Sequence, residues 1–304
     1  MHHHRISSCR PGLVPGLFIA CAALAIFVTD IQGQLPAQTP PPTSEIVQLS
    51  TRMPIGVGDQ VGIGGFIITG NIPKQVILRG IGPTLIQSGI ADALADPVLE
   101  LHGPSGFPTV TNDNWRDTQE QQLLAAGLAP NHNLESAIWA TLSPGAYTAI
   151  LRGKNNTTGT ALVEIYDLTP AADSKLGNLS TRAFVGADQN IAIVGLMLSA
   201  GSVSDQVVVR GIGPSLAPAV SNVLANPALE LRNSNGSLLV SNNDWQDNTV
   251  QAQQITAAGL ALTNTLESAL VAILPPGRYT ALLFGDNNDT GNGLVEVYDL
   301  GATP

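Results

Sequence analysis

Three glutamates occur twice in this sequence at matching positions: Glu100, Glu135 and Glu164 recur as Glu230, Glu267 and Glu296. Paired carboxylates are the groups with which glycosidases protonate and displace a sugar oxygen, so a secreted carboxylate glycosidase is one chemistry to weigh. Little else could carry acid–base or nucleophilic work. Beyond the N-terminal segment the histidines are His102 and His132; Arg232 stands at the place matching His102, and no histidine matches His132. Both cysteines, Cys9 and Cys21, lie near the N-terminus, which leaves no raw material later in the chain for Cys-His, Ser-His or His-based zinc centres. The inventory points to a non-catalytic protein.

Side-chain oxygens are better supplied. Asn112-Asp113-Asn114-Trp115 with Asp117 recurs as Asn242-Asn243-Asp244-Trp245 with Asp247. Oxygen donors packed this closely suit calcium, which takes six to eight oxygens in irregular loops. Asn112, Asp113, Asn114, Asp117, Asn242, Asp244 and Asp247 are therefore the candidate Ca2+ ligands. The competing reading is structural: Asx-turns from the Asn and Asp side chains, helix N-caps at Asp117 and Asp247, and tryptophans plugging a sandwich edge. A further loop, Asp286-Asn287-Asn288-Asp289-Thr290-Gly291, begins like a calcium loop, but Val297 stands where the bidentate glutamate belongs, and a hairpin is the simpler expectation. Arg79 and Arg210 each precede a Gly-Ile-Gly-Pro turn. With no helix following to bind phosphate, each is expected to pair with one of the recurring glutamates.

These residues must be positioned by a duplicated unit. Arg79-Gly80-Ile81-Gly82-Pro83 recurs as Arg210-Gly211-Ile212-Gly213-Pro214, and Leu49-Ser50-Thr51-Arg52 as Leu179-Ser180-Thr181-Arg182, about 130 positions later. The blocks keep their order throughout, so one domain is expected over 49–170 and its copy over 179–304, joined by a short linker, 171–178. Apolar residues follow the strand period: Tyr147, Ala149 and Leu151 share one face, and Tyr279, Ala281 and Leu283 share its counterpart. Val76-Ile77-Leu78 and Val207-Val208-Val209 suit strands buried on both faces. Pro144-Gly145 and Pro276-Gly277 suit type II turns. Seven or eight such strands per copy predict an all-β fold of two tandem antiparallel β-sandwich, jelly-roll-like domains. One short helix is expected in each, capped by Asp117 with Glu120 in the first copy and by Asp247 in the second, where Val250 replaces the Glu and the helix should fray more easily.

Residues 1–33 read as an export signal, with His2, His3, His4, Arg5 and Arg10 before an apolar run from Leu13 to Val28. A Pro-rich spacer, 34–48, follows. The expected location is extracellular or at a bacterial cell surface, with no membrane segment after cleavage; a retained N-terminal anchor is the alternative, because neither Gly33 nor Ala37 ends a clean small-x-small cleavage site. A formal net charge of −10 repels nucleic acid and anionic membranes, whereas cations and neutral polymers remain suitable partners.

The blocks Pro97 to Leu101, Asn112 to Trp115, Leu134 to Ala137, Pro144 to Ala149 and Val163 to Leu168, with their copies, resemble a repeat module found in large exported proteins of environmental bacteria. That resemblance implies no activity. More loosely, an Asn/Asp cluster followed by Pro-Gly-x-Tyr on a strand is similar to pre-peptidase C-terminal (PPC-like) domains. These are jelly-roll-like sandwiches attached to secreted hydrolases, with binding or targeting roles and, in some members, calcium. The chain departs from them in having no peptidase segment before the modules. Taken together, the sequence predicts a non-catalytic secreted or surface module pair for structure or adhesion. Calcium-dependent binding of an extracellular polysaccharide, matrix or envelope protein is the alternative.

Overall fold

The computed structural model describes residues 45–170, 173–187, 190–201 and 203–302. The export signal and nearly all of the Pro-rich spacer lie outside the described residues. The fold is all-β. In the first repeat the strands are β1 (Ile46–Ile55), β2 (Gly62–Gly70), β3 (Lys74–Ile81), β4 (Pro97–His102), β5 (Val110–Asn112), β6 (Ser136–Leu142), β7 (Gly145–Gly153) and β8 (Gly159–Asp167). The second repeats them as β9 (Ser174–Val185), β10 (Ala192–Leu198), β11 (Asp205–Ile212), β12 (Pro227–Asn233), β13 (Leu238–Asn242), β14 (Ser268–Leu274), β15 (Gly277–Gly285) and β16 (Gly291–Ala302).

Within the first repeat, one four-stranded sheet runs β1-β8-β3-β6 and the other β2-β7-β4-β5. This is the jelly-roll order, in which the chain changes sheet at almost every connection. Among the described residues only β4-β5 and β12-β13 are sequential strands paired with each other. The Pro144-Gly145 corner therefore carries the chain from one sheet to the other. Gly145 begins β7 at φ +158° instead of taking the type II turn expected there. The corner is pinned by Tyr147, whose hydroxyl donates to the Ser143 carbonyl at 2.9 Å, and Tyr279 does the same to Pro275 at 2.7 Å. The Asp286–Gly291 loop is likewise a crossing between sheets and not a hairpin.

The two jelly rolls share their sheets. β1 pairs with β10 and β2 with β9, giving two continuous eight-stranded sheets, β13-β12-β15-β10-β1-β8-β3-β6 and β14-β11-β16-β9-β2-β7-β4-β5. Exchanging the repeats turns one order into the other, so a pseudo-two-fold axis passes between β1 and β9. Strand β9 begins at Ser174 and β1 at Ile46. Residues 174–178, expected as linker, are thus already in a sheet, and each repeat starts earlier than the sequence blocks suggest. A single buried cluster fills the space between the sheets and draws on both repeats, including Leu49, Phe66, Leu151, Leu179, Val209 and Leu283.

Outside the sandwich, α1 (Glu120–Ala125) and α2 (Thr249–Ala257) cover the outer faces. Trp115, Leu123 and Leu128 pack on Ile77 and Tyr166, and Trp245, Ile255 and Leu262 on Val208. The tryptophans therefore seal an outer face and do not plug an edge. The caps differ from those expected. Asp117 does not cap α1, whose N-cap is Gln119 with no side-chain hydrogen bond. Asn248, not Asp247, caps α2 by accepting from the Val250 and Gln251 amides, and α2 is the longer of the two helices. Among the described residues no helix is long and apolar enough to cross a membrane.

Candidate functional site

Each recurring glutamate is held by partners that explain its repetition. Glu135 and Glu267 are fully buried. One oxygen of Glu135 accepts the Gly82 amide at 3.3 Å and the Thr84 amide at 2.9 Å, and the other accepts the His132 amide at 3.2 Å. Glu267 accepts from Gly213 at 3.3 Å and Ser215 at 2.9 Å. The Gly-Ile-Gly-Pro turn is thus clamped by a carboxylate and is not built to clamp an anion. Its second glycine is required by crowding: a Cβ on Gly82 would lie 2.1 Å from the Leu94 carbonyl oxygen, and one on Gly213 would lie 2.0 Å from that of Leu224.

Glu135→Ala is expected to cost about 2–4 kcal/mol of stability, because it removes the acceptor of three amides, of which that of Gly82 is buried and the other two part-buried, and Glu267→Ala somewhat less. Urea unfolding of the two variants measures this. Equal stability to the parent would mean that the clamp contributes nothing.

Glu164 and Glu296 face the recurring arginines, as expected from the sequence. Arg79 Nε donates to Glu164 at 2.7 Å, and its other nitrogens donate to the Leu128 carbonyl and the Tyr166 hydroxyl, both at 3.1 Å. Arg210 repeats this with Glu296 at 2.8 Å, Leu260 at 2.9 Å and Tyr298 at 3.2 Å. Burial, and then the Glu296 carboxylate, push the Tyr298 hydroxyl up to about 12, so it remains a neutral donor and acceptor. Through these contacts the arginine ties the strand face to the loop that follows the helix. Glu100 pairs with Arg152 at 2.9 Å and His102 at 3.3 Å. Burial raises its pKa, but the hydrogen bonds from Arg152 and His102 outweigh this and hold it below the usual value. In the second repeat Arg232 replaces the histidine as the partner of Glu230. Each of the six glutamates has at least one hydrogen-bond or ion-pair partner.

The Asn/Asp segments divide their labour. Asn112 Oδ1 accepts the Ala137 amide at 2.8 Å and Asn242 Oδ1 the Ala269 amide at 2.9 Å. Each asparagine stitches the edge strand of one sheet to the edge strand of the other, and its oxygen is engaged by the backbone. Asp117 accepts from Asn114 at 3.3 Å at the surface, and Asp247 is exposed. Asp113 faces the other way, toward Lys154, whose ammonium donates to it at 2.5 Å and lies 3.7 Å from Asp96. The backbone there is fixed alike in both repeats: the Lys154 amide donates to the Asp96 carbonyl at 2.9 Å, and the Asp286 amide to the Asn226 carbonyl at 2.8 Å. Among the described residues no three acidic, histidine or cysteine side chains gather closely enough to hold a metal ion.

A second polar group lies inside the sandwich and was not anticipated. At one end of the inter-sheet core, Lys74 is fully buried and donates to Asp167 at 2.5 Å and to the Thr169 carbonyl at 2.9 Å. At the matching positions of the second repeat stand Asp205 and Asp299, with Lys175 donating to Asp299 at 3.2 Å. Glu45, matching Lys175, completes the group and is 4% exposed. Burial foremost pushes both Glu45 and Asp205 up to about 7; nearby Asp167 and Asp299 add to the shift in Glu45, and Asp299 adds to that in Asp205. The signal in the sequence is a charge exchange between the copies, Glu45 for Lys175 and Lys74 for Asp205, which alignment by apolar blocks passes over.

No protein-family model matches the chain, and no curated protein matches it by sequence. Among solved structures, the chain is similar to one from the atomic structure of Sulfolobus Turreted Icosahedral Virus, with 13% identity, 86% of this chain and 90% of that chain covered, and a TM-score of 0.24. It is also similar to a DUF4785 family protein from Legionella pneumophila, with 10% identity, 88% and 69% coverage, and a TM-score of 0.24.

Proposed function

We propose that this protein is a non-catalytic, exported or surface-held module pair that serves structure or adhesion outside the cell. The observation that carries the reading is the fate of the recurring glutamates: each is spent on clamping a turn, an arginine or a strand end, so the residues that repeat are the ones that build the fold. The signal-like N-terminus and the net negative charge support export and a partner such as an extracellular polysaccharide, matrix or envelope protein, and not nucleic acid. Calcium-dependent attachment is the second reading, favoured by the side-chain oxygens around the β5 and β13 loops.

Cell fractionation with a parallel assay on envelope and extracellular polysaccharides tests the proposal. The intact chain is expected outside the cytoplasm and retained by one of these fractions without releasing sugar, and deletion of residues 1–33 should leave it inside. Cytoplasmic accumulation of the intact chain, or sugar release that Glu135→Gln and Glu267→Gln abolish, would overturn it.

A further inference from the structure

The Leu-Ser-Thr-Arg motif recurs at 49–52 and 179–182, and packing accounts for only half of it. Leu49 and Leu179 enter the core, and Thr51 and Thr181 meet hydroxyl to hydroxyl at 2.8 Å beside the pseudo-two-fold axis. Ser50, Arg52, Ser180 and Arg182 alternate with them and lie half-buried on the outer faces of the two sheets. Arg79, Arg116, Arg152, Arg210 and Arg232 are each paired with a glutamate, whereas Arg52 and Arg182 make no hydrogen bond or ion pair among the described residues. Burial foremost lowers the Arg52 pKa, and Asp92 pulls against it; in the second repeat Asn222 stands in place of Asp92.

These arginines stand in the basic middle of an acidic protein. The strands that meet around the axis, β15-β10-β1 in one sheet and β9-β2-β7 in the other, carry Arg52, Arg152, Lys175, Arg182 and Arg278 and no aspartate or glutamate. On the strands that border them, Glu164, Glu296, Glu100 and Glu230 are neutralised by their own arginines. α1 packs over β3, β6 and β8, and α2 over β11, β14 and β16, so the helices cover the acidic flanks and not the basic middle. Across the strands Thr280, Gly195 and Ser50 fall in one line and Leu282, Ile193 and Arg52 in the next. The other sheet repeats this with Thr148, Gly65 and Ser180 beside Ile150, Ile63 and Arg182. The glycines keep the hydroxyl line level: a Cβ on Gly195 would lie 2.5 Å from Ser50 Oγ, and one on Gly65 would lie 2.6 Å from Ser180 Oγ.

We propose that each of these faces binds an acidic polysaccharide, Arg52 on one and Arg182 on the other taking a sugar carboxylate while the serine and threonine hydroxyls meet the sugar hydroxyls. A guanidinium presents two parallel N–H donors to a carboxylate, and a hydroxyl line both donates and accepts, as a polyuronate chain requires. The aliphatic line beside it receives the apolar edge of the sugar ring. The net charge of −10 does not forbid this, because charges more than about 8 Å away are screened at physiological ionic strength and the charges close at hand are basic. The two places lie on opposite sides of the sandwich, so one chain can hold two polymer strands and join them. The inference rests on the proposed structural or adhesive role and names the class of polymer it serves.

Calorimetric titration of the full chain with a galacturonic acid oligomer, with the carboxyl-reduced oligomer as control, tests it. The parent is expected to bind two oligomers per chain, to ignore the reduced form and to bind more weakly as salt is raised. Arg52→Gln and Arg182→Gln should each weaken one of the two sites by about tenfold or more, and the double variant both, with the circular dichroism of the parent. Should these variants fold poorly, Thr280→Glu and Thr148→Glu, which set a carboxylate in the hydroxyl line, are expected to remove one site each. No heat with the acidic oligomer, equal heat with the reduced one, or two undiminished sites in the folded variants would overturn the proposal. Retention of the chain by neutral polysaccharides alone would sink this inference and leave the proposed function standing, whereas uronate binding by a chain that accumulates in the cytoplasm would do the reverse.

Discussion

Between about pH 4 and pH 7 the folded protein is expected to lose stability as the pH rises, the reverse of ordinary acid denaturation. Glu45 and Asp205 lie in the core end with ordinary values of 4.5 and 3.8 and folded values of about 7. Below the ordinary values both groups carry protons whether the chain is folded or not, and the full stability is present. Across the window the folded state holds two protons that the unfolded chain has released, so raising the pH pulls the equilibrium toward unfolding. Both groups contribute in this direction, and the loss is complete once the pH has passed through about 7.

Asp167, raised by burial against the pull of Lys74, acts in the same direction, whereas Glu100 opposes it. Asp205→Asn and Glu45→Gln should each flatten the profile, because the amide already resembles the protonated form. Urea midpoints measured from pH 4 to pH 8 give the result. A parent chain whose stability climbs steadily from pH 4 to pH 7 would contradict the placement of these carboxyls.

Much of the architecture could be read from the residues. Period-two runs such as Tyr147-Thr148-Ala149-Ile150-Leu151 become β7 with alternate side chains in the core, because a half-buried strand has no other way to divide apolar from polar. The partner of Arg79 could be foreseen as well, since a guanidinium beside a buried strand needs a carboxylate. Strand partners are a different matter. Leu49 and Leu179 face inward whether their strand is bordered by its own repeat or by the other, so nothing in the alternation announces that β1 lies beside β10. Pro144-Gly145 marks a corner without saying whether the chain returns in the same sheet or crosses to the next. Asp117 and Asp247 carry a capping signature, yet the docking of α1 and α2 on the tryptophans begins each helix later in the chain. The Asn/Asp clusters drew attention as one unit, although Asn112 turns to the Ala137 amide and Asp113 to Lys154. The loop that Asp113 meets differs between the copies at two places, Lys154 against Asp286 and Thr157 against Asp289.

The largest consequence of the fold concerns the repeats taken apart. β1 pairs with β10 from Ile46 to Arg52, and β2 with β9 from Ile63 to Gly70. Severing the chain between these partners would open two long strand edges in each half and uncover the core around Leu49, Phe66, Leu179 and Leu196. Exposed apolar edges recruit another chain. The pseudo-two-fold relation supplies the arrangement, because β10 is the second repeat's version of β2. A lone first repeat can offer its β1 to the β2 of an identical partner and close a symmetric dimer.

The claim that two jelly rolls fold as one body is tested most directly by light scattering on residues 45–170 and 173–302, produced separately and then mixed. The account predicts that neither half exists as a folded monomer, and that mixing yields a one-to-one complex with the circular dichroism of the intact chain. Two halves that each run as stable, folded monomers and ignore one another would contradict it.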